Sequence, residues 1–282
     1  MFFNLSADFK APFLNRDAGP SPIQAWMRDH NWLPVWTVVL YLLFIAYGRA
    51  TAAARRVTPG GRWDQAYFGW NLALSLFSFL GASVMLRILY RLLTTHGFHY
   101  TVCTVPWWDA RVDPTLTFST GVFILSKFPE LIDTVFLVYQ RKPVRVIHWF
   151  HHATVLLYCW HAYVNPTPSG IWFATMNYTV HAVMYFYYGF KLSQKPIQMG
   201  ITVIQITQMI VGTGITVYTA IAYAMGACTT DPWNFGFALG IYSAYLVLFV
   251  QLFQRNYGGG VKTPPAPPLG EYLPPMTGIK RA

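Results

Sequence analysis

One stretch of the sequence reads VIHWFHHATVLLY, residues Val146–Tyr158, and places three histidines inside an apolar segment. At about 100° per helical residue, His148, His151 and His152 fall within about 100° of one helix face. The surrounding apolar run, 144–164, is long enough to cross a bilayer. Because polar groups at membrane depth are costly, this stripe indicates an enclosed polar cavity. The alternative is that the histidines pack against neighbouring helices and hydrogen-bond to them.

The composition around this stretch is that of a membrane protein. Of 282 residues, 54% are hydrophobic and only 11% are charged, and the mean hydropathy is +0.34. Soluble domains carry about 25% charged residues. The sequence therefore predicts an all-α polytopic membrane protein. Its net charge of +10 indicates basic cytoplasmic loops, and we expect no nucleic-acid partner.

Seven apolar runs predict seven transmembrane helices, at 32–47, 66–90, 115–140, 144–164, 170–190, 196–225 and 234–254. They make up one predicted membrane domain, 32–257. The polar segment 1–31 is expected to lie in the lumen. The Gly- and Pro-rich segment 258–282 predicts a disordered cytoplasmic tail.

The basic residues predict the orientation of the chain. With the N-terminus outside, the cytoplasmic segments hold most of them: Arg49, Arg55, Arg56, Arg62, Arg141, Lys142, Arg145, Lys191, Lys195, Arg255, Lys262, Lys280 and Arg281. The opposite face holds Lys10, Arg16, Arg28, Arg91 and Arg111. The positive-inside rule then predicts a lumenal N-terminus and a cytoplasmic C-terminus.

This orientation has two consequences on the lumenal side. Asn4, in Asn4-Leu5-Ser6, becomes a glycosylation acceptor. Cys103 and Cys228 fall in lumenal loops, where oxidation is permitted, and we expect a disulfide between them. Cys159 would remain a free thiol. Three cysteines without a CxxC pair argue against a zinc module.

Polar stripes also mark the other central spans. Lys127, Glu130 and Asp133 recur every third residue, and Pro129 should bend their helix. A structural ion-pair network is the alternative to a functional site here. In the fifth run the stripe comprises Asn177, His181, Tyr185 and Tyr188. In the sixth it comprises Thr202, Gln205 and Gln208, whose amides could equally join helices.

If these stripes converge, they line a polar pocket that opens to the cytoplasm, inside an apolar bundle. The basic residues Arg141, Lys142, Arg145, Lys191, Lys195 and Arg255 would hold phosphates at its mouth, or act only as topology determinants. An amphipathic ligand with an anionic head and an acyl tail fits both parts.

The motifs in these stripes resemble those of the ELO family of fatty acid elongases. Lys127–Thr134 reads as KxxExxDT, His148–His152 as HxxHH, His181–Tyr188 as HxxMYxYY, and Thr202–Gln208 as TxxQxxQ. Their order and spacing agree with the family over roughly residues 30–257. The residues around them are most similar to elongases of saturated and monounsaturated chains.

The resemblance implies a seven-helix protein of the endoplasmic reticulum membrane, with six helices enclosing an acyl tunnel. It implies condensation of a long-chain acyl-CoA with malonyl-CoA to a 3-oxoacyl-CoA two carbons longer, with release of CO₂ and CoA. No cofactor or metal is implied beyond these substrates. The implied partners are membrane lipid and the 3-oxoacyl-CoA reductase, dehydratase and enoyl-CoA reductase of the cycle; a homo-oligomer is left open. The family's dilysine ending is absent, since the chain ends Lys280-Arg281-Ala282.

A histidine is the simplest nucleophile, because no serine or cysteine is paired with the histidines in sequence. We assign this role to His151, which could form an acyl-imidazole, with His148, His152 or Asp133 taking its proton. Lys127, His181 and Asn177 are candidates to stabilise the enolate of malonyl-CoA. The remaining substrate-binding assignments are Glu130, Gln205, Gln208, Tyr185 and Tyr188. A tunnel closed at its lumenal end would place Gly212 and Gly214 beside the end of the acyl chain.

Two other classes of protein compete with this interpretation. A di-iron desaturase or hydroxylase also uses HxxHH, but it needs about eight histidines on one membrane face. The chain has eight in all, of which His30, His96 and His99 fall on the opposite side and His161 lies near the far end of its span. A seven-helix receptor or transporter would not explain a histidine cluster beside KxxExxDT.

Overall fold

The computed structural model describes residues 21–51, 62–104, 114–165, 167–192, 194–228 and 230–258. Asn4 and the predicted tail beyond Gly258 lie outside these ranges. Nine α-helices occupy the described residues. They are α1 (Pro22–Asp29), α2 (Trp32–Ala50), α3 (Arg62–Cys103), α4 (Pro114–Glu130), α5 (Ile132–Tyr139), α6 (Val146–Val164), α7 (Gly170–Gly189), α8 (Lys195–Ala224) and α9 (Pro232–Tyr257).

The helices confirm the prediction of an all-α polytopic membrane protein. By length and hydropathy, four of them could cross a membrane: Trp32–Ala50, Trp63–Cys103, Lys195–Ala224 and Pro232–Tyr257. The helices α6 and α7, with 19 and 20 residues, are long enough, but their histidines and tyrosines lower the mean hydropathy. The count of seven spans therefore stays a prediction.

The predicted span 115–140 is interrupted, as the bend expected at Pro129 indicates, and the chain forms two consecutive helices there. Pro129 lies in the last turn of α4, and α5 begins after Leu131. Proline has no N–H to donate, and its ring clashes with the carbonyl four residues earlier. At the junction, Leu131 N donates to Phe128 O at 3.1 Å and Thr134 N donates to Leu131 O at 3.1 Å. These tighter bonds separate Asp133 from the helix that carries Lys127.

The helix α1 lies inside the segment that was expected to be a polar N-terminal extension. It packs against the C-terminal part of α6, and Met27 is fully buried. Gln24 Nε2 donates to Tyr163 O at 2.7 Å, and Trp160 Nε1 donates to Met27 O at 3.1 Å. Hydropathy did not reveal α1, because it is short and amphipathic rather than uniformly apolar. The boundary predicted between segment and membrane domain stays a prediction.

The bundle positions the site through two long helix pairs and one central helix. The helix α3 packs along α7, and α9 packs along α8, while α6 contacts α2, α4 and α9. Gly97 interrupts α3 with φ +81°, a value that non-glycine residues rarely adopt. Beyond this break, Cys103 forms a disulfide with Cys228, with a Cα–Cα distance of 4.8 Å.

Candidate active site

The side chains of Lys127 and Glu130 begin a buried polar network at the end of α4. Lys127 Nζ donates to Glu130 Oε1 at 2.6 Å and to Asn177 Oδ1 of α7 at 3.0 Å. It also lies 4.2 Å from the centre of the Phe123 ring. Asn177 Nδ2 donates to His181 Nε2 at 3.1 Å. Lys127 and Glu130 are only 2% and 3% exposed. Each charge is therefore balanced by the other inside the protein and not by solvent.

Asp133 is held separately, by partners on two other helices. Trp70 Nε1 donates to its Oδ1 at 2.7 Å, and the Tyr185 hydroxyl donates to its Oδ2 at 2.8 Å. His152 Nε2 lies 4.0 Å from the same Oδ2. The carboxylate therefore accepts one hydrogen bond on each oxygen and faces the histidine box.

His148 is joined to the motif on α5 through Thr134. The Thr134 hydroxyl shares a hydrogen bond with His148 Nε2 at 2.8 Å and another with the Tyr41 hydroxyl at 2.9 Å. Thr134 is fully buried. The His148 and His152 ring centroids lie 4.5 Å apart. The hydrogen bond from Thr134 therefore holds His148 at one side of the histidine cluster.

His151 points to a different part of the site. Its ring centroid lies 6.3 Å from that of His181 and 5.0 Å from that of Tyr245 on α9. The Tyr245 hydroxyl lies 2.5 Å from Thr154 Oγ1 and donates to His151 O at 3.3 Å. His151 is half-buried, and within the described ranges its ring nitrogens have no hydrogen-bonding partner. Of the three box histidines, it is the one that has neither a hydroxyl nor a carboxylate beside its ring.

Some predicted residues lie at the edge of this cluster. Tyr188 is 39% exposed, whereas Tyr185 is buried. Gln205 is half-buried, and its Nε2 lies 3.4 Å from Met184 Sδ. Gln208 is buried on α8.

The basic residues assigned to phosphate binding lie at or next to helix ends, in the α5–α6 and α7–α8 connections and near the end of α9. Those assigned to phosphate binding are exposed: Arg141, Lys142, Arg145, Lys191, Lys195 and Arg255. Lys142 Nζ lies 5.8 Å from the centre of the Tyr67 ring, and Lys191 Nζ lies 3.2 Å from Asp64 Oδ1. We refer to these six exposed residues as the basic rim.

Sequence patterns did not reveal four of the side chains that complete the site. They are Tyr41 on α2, Trp70 on α3, Thr154 on α6 and Tyr245 on α9. Trp70 and Tyr245 belong to helices without a polar stripe, where an aromatic residue is unremarkable by hydropathy. Thr154 follows the histidine box within the same helix and could have been found from that position.

A small apolar cavity of about 30 Å³ lies deeper in the bundle, between α4, α6 and α7. Phe123, Cys159 and Ala174 are among the residues that line it. Because a helix advances about 1.5 Å per residue, Cys159 lies about 12 Å beyond His151 along α6. Phe123, which contacts Lys127, connects the cavity to the polar network.

The expectation that Gly212 and Gly214 border the end of an acyl tunnel stays a prediction. A Cβ atom at Gly212 would lie 2.2 Å from the Tyr242 ring, so this glycine allows α8 to approach α9. A Cβ atom at Gly214 would meet nothing within 4 Å. Neither glycine is among the residues that line the apolar cavity.

The histidines do not gather into one metal-binding arrangement. Within the described residues, no three side chains of His, Cys, Asp or Glu are grouped so that they could hold a metal ion. His99 contacts the Tyr218 hydroxyl and Ala227 O, and His30 contacts Trp26 O. His99 and His30 therefore form their contacts away from the histidine box.

The sequence of this chain has clear relatives among known proteins. Residues 26–264 match the GNS1/SUR4 family, ELO. The chain is 39% identical to "Fatty acid elongase 3" of Trypanosoma cruzi, over 83% of this chain and 87% of the relative. It is 36% identical to "Fatty acid elongase 3" of Trypanosoma brucei brucei, over 91% and 93%. It is 37% identical to "Very long chain fatty acid elongase 3" of Homo sapiens, over 86% and 88%.

Proposed function

This chain belongs to the GNS1/SUR4 (ELO) family, and from that premise we propose that it is the condensing enzyme of fatty acid elongation. It joins a long-chain acyl-CoA to malonyl-CoA and releases CO₂ and CoA, giving a 3-oxoacyl-CoA two carbons longer. The observation that carries this function is the histidine cluster between a basic rim and an apolar cavity. The rim suits the phosphates of CoA. The cavity of about 30 Å³ is too small to hold an acyl chain, but it marks an apolar part of the bundle beside the cluster, toward which the chain would extend.

His151 is the nucleophile of the proposed reaction. Its ring nitrogen attacks the thioester carbon, the C–S bond breaks, and the CoA thiolate leaves. The acyl group is then bound to the imidazole, which releases its own N–H proton to a neighbouring base. The contacts support this choice, because His148 is bonded to Thr134 and His152 is buried against Asp133, whereas His151 keeps an unbonded, partly exposed ring.

The second half-reaction joins the two carbon chains. Malonyl-CoA loses CO₂, and the electron pair of the broken C–C bond forms an enolate. The enolate carbon attacks the acyl carbon and the C–N bond to His151 breaks. The proton held by the neighbouring base returns to the ring nitrogen, which restores the neutral imidazole. His181 is the best placed of the proposed enolate-stabilising residues, because its ring lies beside that of His151.

Lys127 acts through other residues in this scheme. Its ammonium group already donates to Glu130 and Asn177, so few of its protons are available to the substrate. We assign to it the positioning of Asn177, which in turn donates to His181. Tyr188, Gln205 and Gln208 stay proposed contacts to CoA or to the reacting carbonyl, as do the basic residues of the rim.

A burst experiment tests the covalent route. Purified protein mixed with long-chain acyl-CoA alone should release up to one equivalent of CoA and retain the acyl chain on His151, as located by peptide mapping. His151→Ala should abolish the burst, while His181→Ala should retain part of it and lose condensation. If active wild-type protein gives neither a CoA burst nor an acylated histidine, His151 is a general base instead.

The setting of the enzyme follows from the same proposal. We place it in the endoplasmic reticulum membrane as a multi-pass protein, with a lumenal N-terminus and a cytoplasmic rim. Its product would pass to a 3-oxoacyl-CoA reductase, a dehydratase and an enoyl-CoA reductase. Glycosylation that disappears in Asn4→Gln would support this orientation, and an acceptor tag modified only at the C-terminus would contradict it. The preference for saturated and monounsaturated chains stays a prediction.

A further inference from the structure

Trp70 contributes to the site from outside every motif that identifies the family. It lies on α3, and its indole N–H donates to Asp133 Oδ1 at 2.7 Å. The Tyr185 hydroxyl, on α7, donates to the other oxygen at 2.8 Å. We propose that Trp70 is a positioning residue which, together with Tyr185, clamps the Asp133 carboxylate in the orientation that faces His152. This inference rests on the proposed function, since it assigns Trp70 a part in the same reaction.

The local structure explains why Asp133 needs such a clamp. Asp133 is the second residue of α5, a helix of 8 residues that begins directly after the break caused by Pro129. The residue before this helix, Leu131, provides no side-chain cap. A short, uncapped helix start does not fix its own side chains. Hydrogen bonds to both carboxylate oxygens, from two long helices, supply the missing constraint.

The charges around the site explain why the orientation of the Asp133 carboxylate matters for the reaction. Glu130 is paired with the ammonium of Lys127 at 2.6 Å, and its other oxygen lies 3.9 Å from His181 Nδ1. Its charge therefore acts on Lys127 and His181, whereas Asp133 is the carboxylate beside His152. The hydrogen-bond donors to Asp133 are neutral, and its charge when ionised stays available to the histidines. His152 Nε2 lies 4.0 Å from Asp133 Oδ2, and its ring centroid lies 5.6 Å from that of His151. Positive charge that develops as His151 attacks the thioester is therefore stabilised by a carboxylate of fixed orientation.

Packing alone does not account for the position of Trp70. Its side chain is only half-buried. The contact between α3 and α7 is maintained by other residues: Asn71 is 2% exposed, and Ser75 Oγ donates to Ala182 O at 2.8 Å. The distinctive contribution of the indole is thus its N–H group.

The test compares two substitutions that both replace the indole by a smaller ring and differ in whether that ring carries an N–H donor. Trp70→Phe removes the ring N–H, whereas Trp70→His keeps a ring N–H that reaches nearly as far from the backbone. Trp63→Phe is the matched control, because Trp63 lies on the same helix and stacks on Tyr139 with ring centroids 3.9 Å apart. Elongation kinetics and thermal unfolding are measured for all three in the full-length protein.

We expect Trp70→Phe to lower kcat about tenfold or more while both KM values stay within about twofold, because the lost bond is to a charged group and not to substrate. Trp70→His should recover much of kcat at the same unfolding temperature as Trp70→Phe, and Trp63→Phe should retain wild-type kcat. Equal losses in the two Trp70 variants would overturn the clamp, as would a raised KM at unchanged kcat. Wild-type protein that condenses no acyl-CoA of any length would instead overturn the proposed function, and this inference with it.

Discussion

Nε2 of His148 lies 2.8 Å from Oγ1 of Thr134, which joins the histidine box to the KxxExxDT motif. The same hydroxyl lies 2.9 Å from the Tyr41 hydroxyl, so a single oxygen connects α2, α5 and α6. Because Thr134 is fully buried, no water can replace it without rearrangement. The position of His148 therefore depends on this one hydroxyl group.

Thr134→Val should accordingly impair both stability and turnover. Valine has nearly the same shape but leaves the buried Tyr41 hydroxyl and the half-buried His148 ring without their hydrogen bond, at a cost of about 1–3 kcal/mol for a buried group. The unfolding temperature and kcat should both fall. Thr134→Ser keeps the hydroxyl and should resemble wild type. Equal activity in the valine and serine variants would show that His148 is oriented in another way.

Lys127→Met should be more destabilising than the removal of both charges. The single substitution leaves Glu130 buried without its cation, and breaking a buried pair in this way costs about 3–5 kcal/mol. Lys127→Met combined with Glu130→Gln should regain most of the unfolding temperature and remain inactive, since Asn177 and His181 lose their support. A double variant less stable than the single one would contradict this account.

Ala174→Phe should shorten the products. Ala174 is 1% exposed and lines the apolar cavity, so a phenyl ring there would fill space available to an acyl chain. Each buried methylene contributes about 0.8 kcal/mol, and losing room for two carbons should lower kcat/KM for the longest substrate about fifteenfold. Gly240→Phe, where the added side chain meets open space on α9, is the control and should leave the product profile unchanged. An active Ala174→Phe enzyme with unchanged products would place the acyl chain elsewhere.

Replacing Cys103 and Cys228 by serine should lower the unfolding temperature. The disulfide joins residues 125 positions apart, and removing such a bond typically costs about 2–5 kcal/mol. Cys159→Ser changes a buried free thiol and serves as the comparison for mass spectrometry of the alkylated, non-reduced protein. Only Cys159 should be alkylated after unfolding; alkylation of all three cysteines would show that the disulfide does not form.

The sequence by itself determined the class of protein and most of the polar cluster. Hydropathy and helix periodicity are local properties, so they located the apolar helices and placed Lys127 with Glu130, and His148 with His152, on common faces. Pro129 predicted a bend in its helix, because the effect of proline on the backbone is also local. The motif spacing identified the family, because four motifs in fixed order are rarely combined by chance.

Only the tertiary structure decided which helices surround the chemistry. Trp70 reaches Asp133 across 63 residues, and Tyr245 reaches Thr154 across 91. Such pairings depend on how helices pack, which side-chain periodicity within one helix does not specify. The same limit explains the glycines of α8: Gly212 was small enough to border a tunnel, but its neighbour is Tyr242. The periodicity of a helix predicts which face is buried, whereas the packing of the helices determines which residues that face contacts.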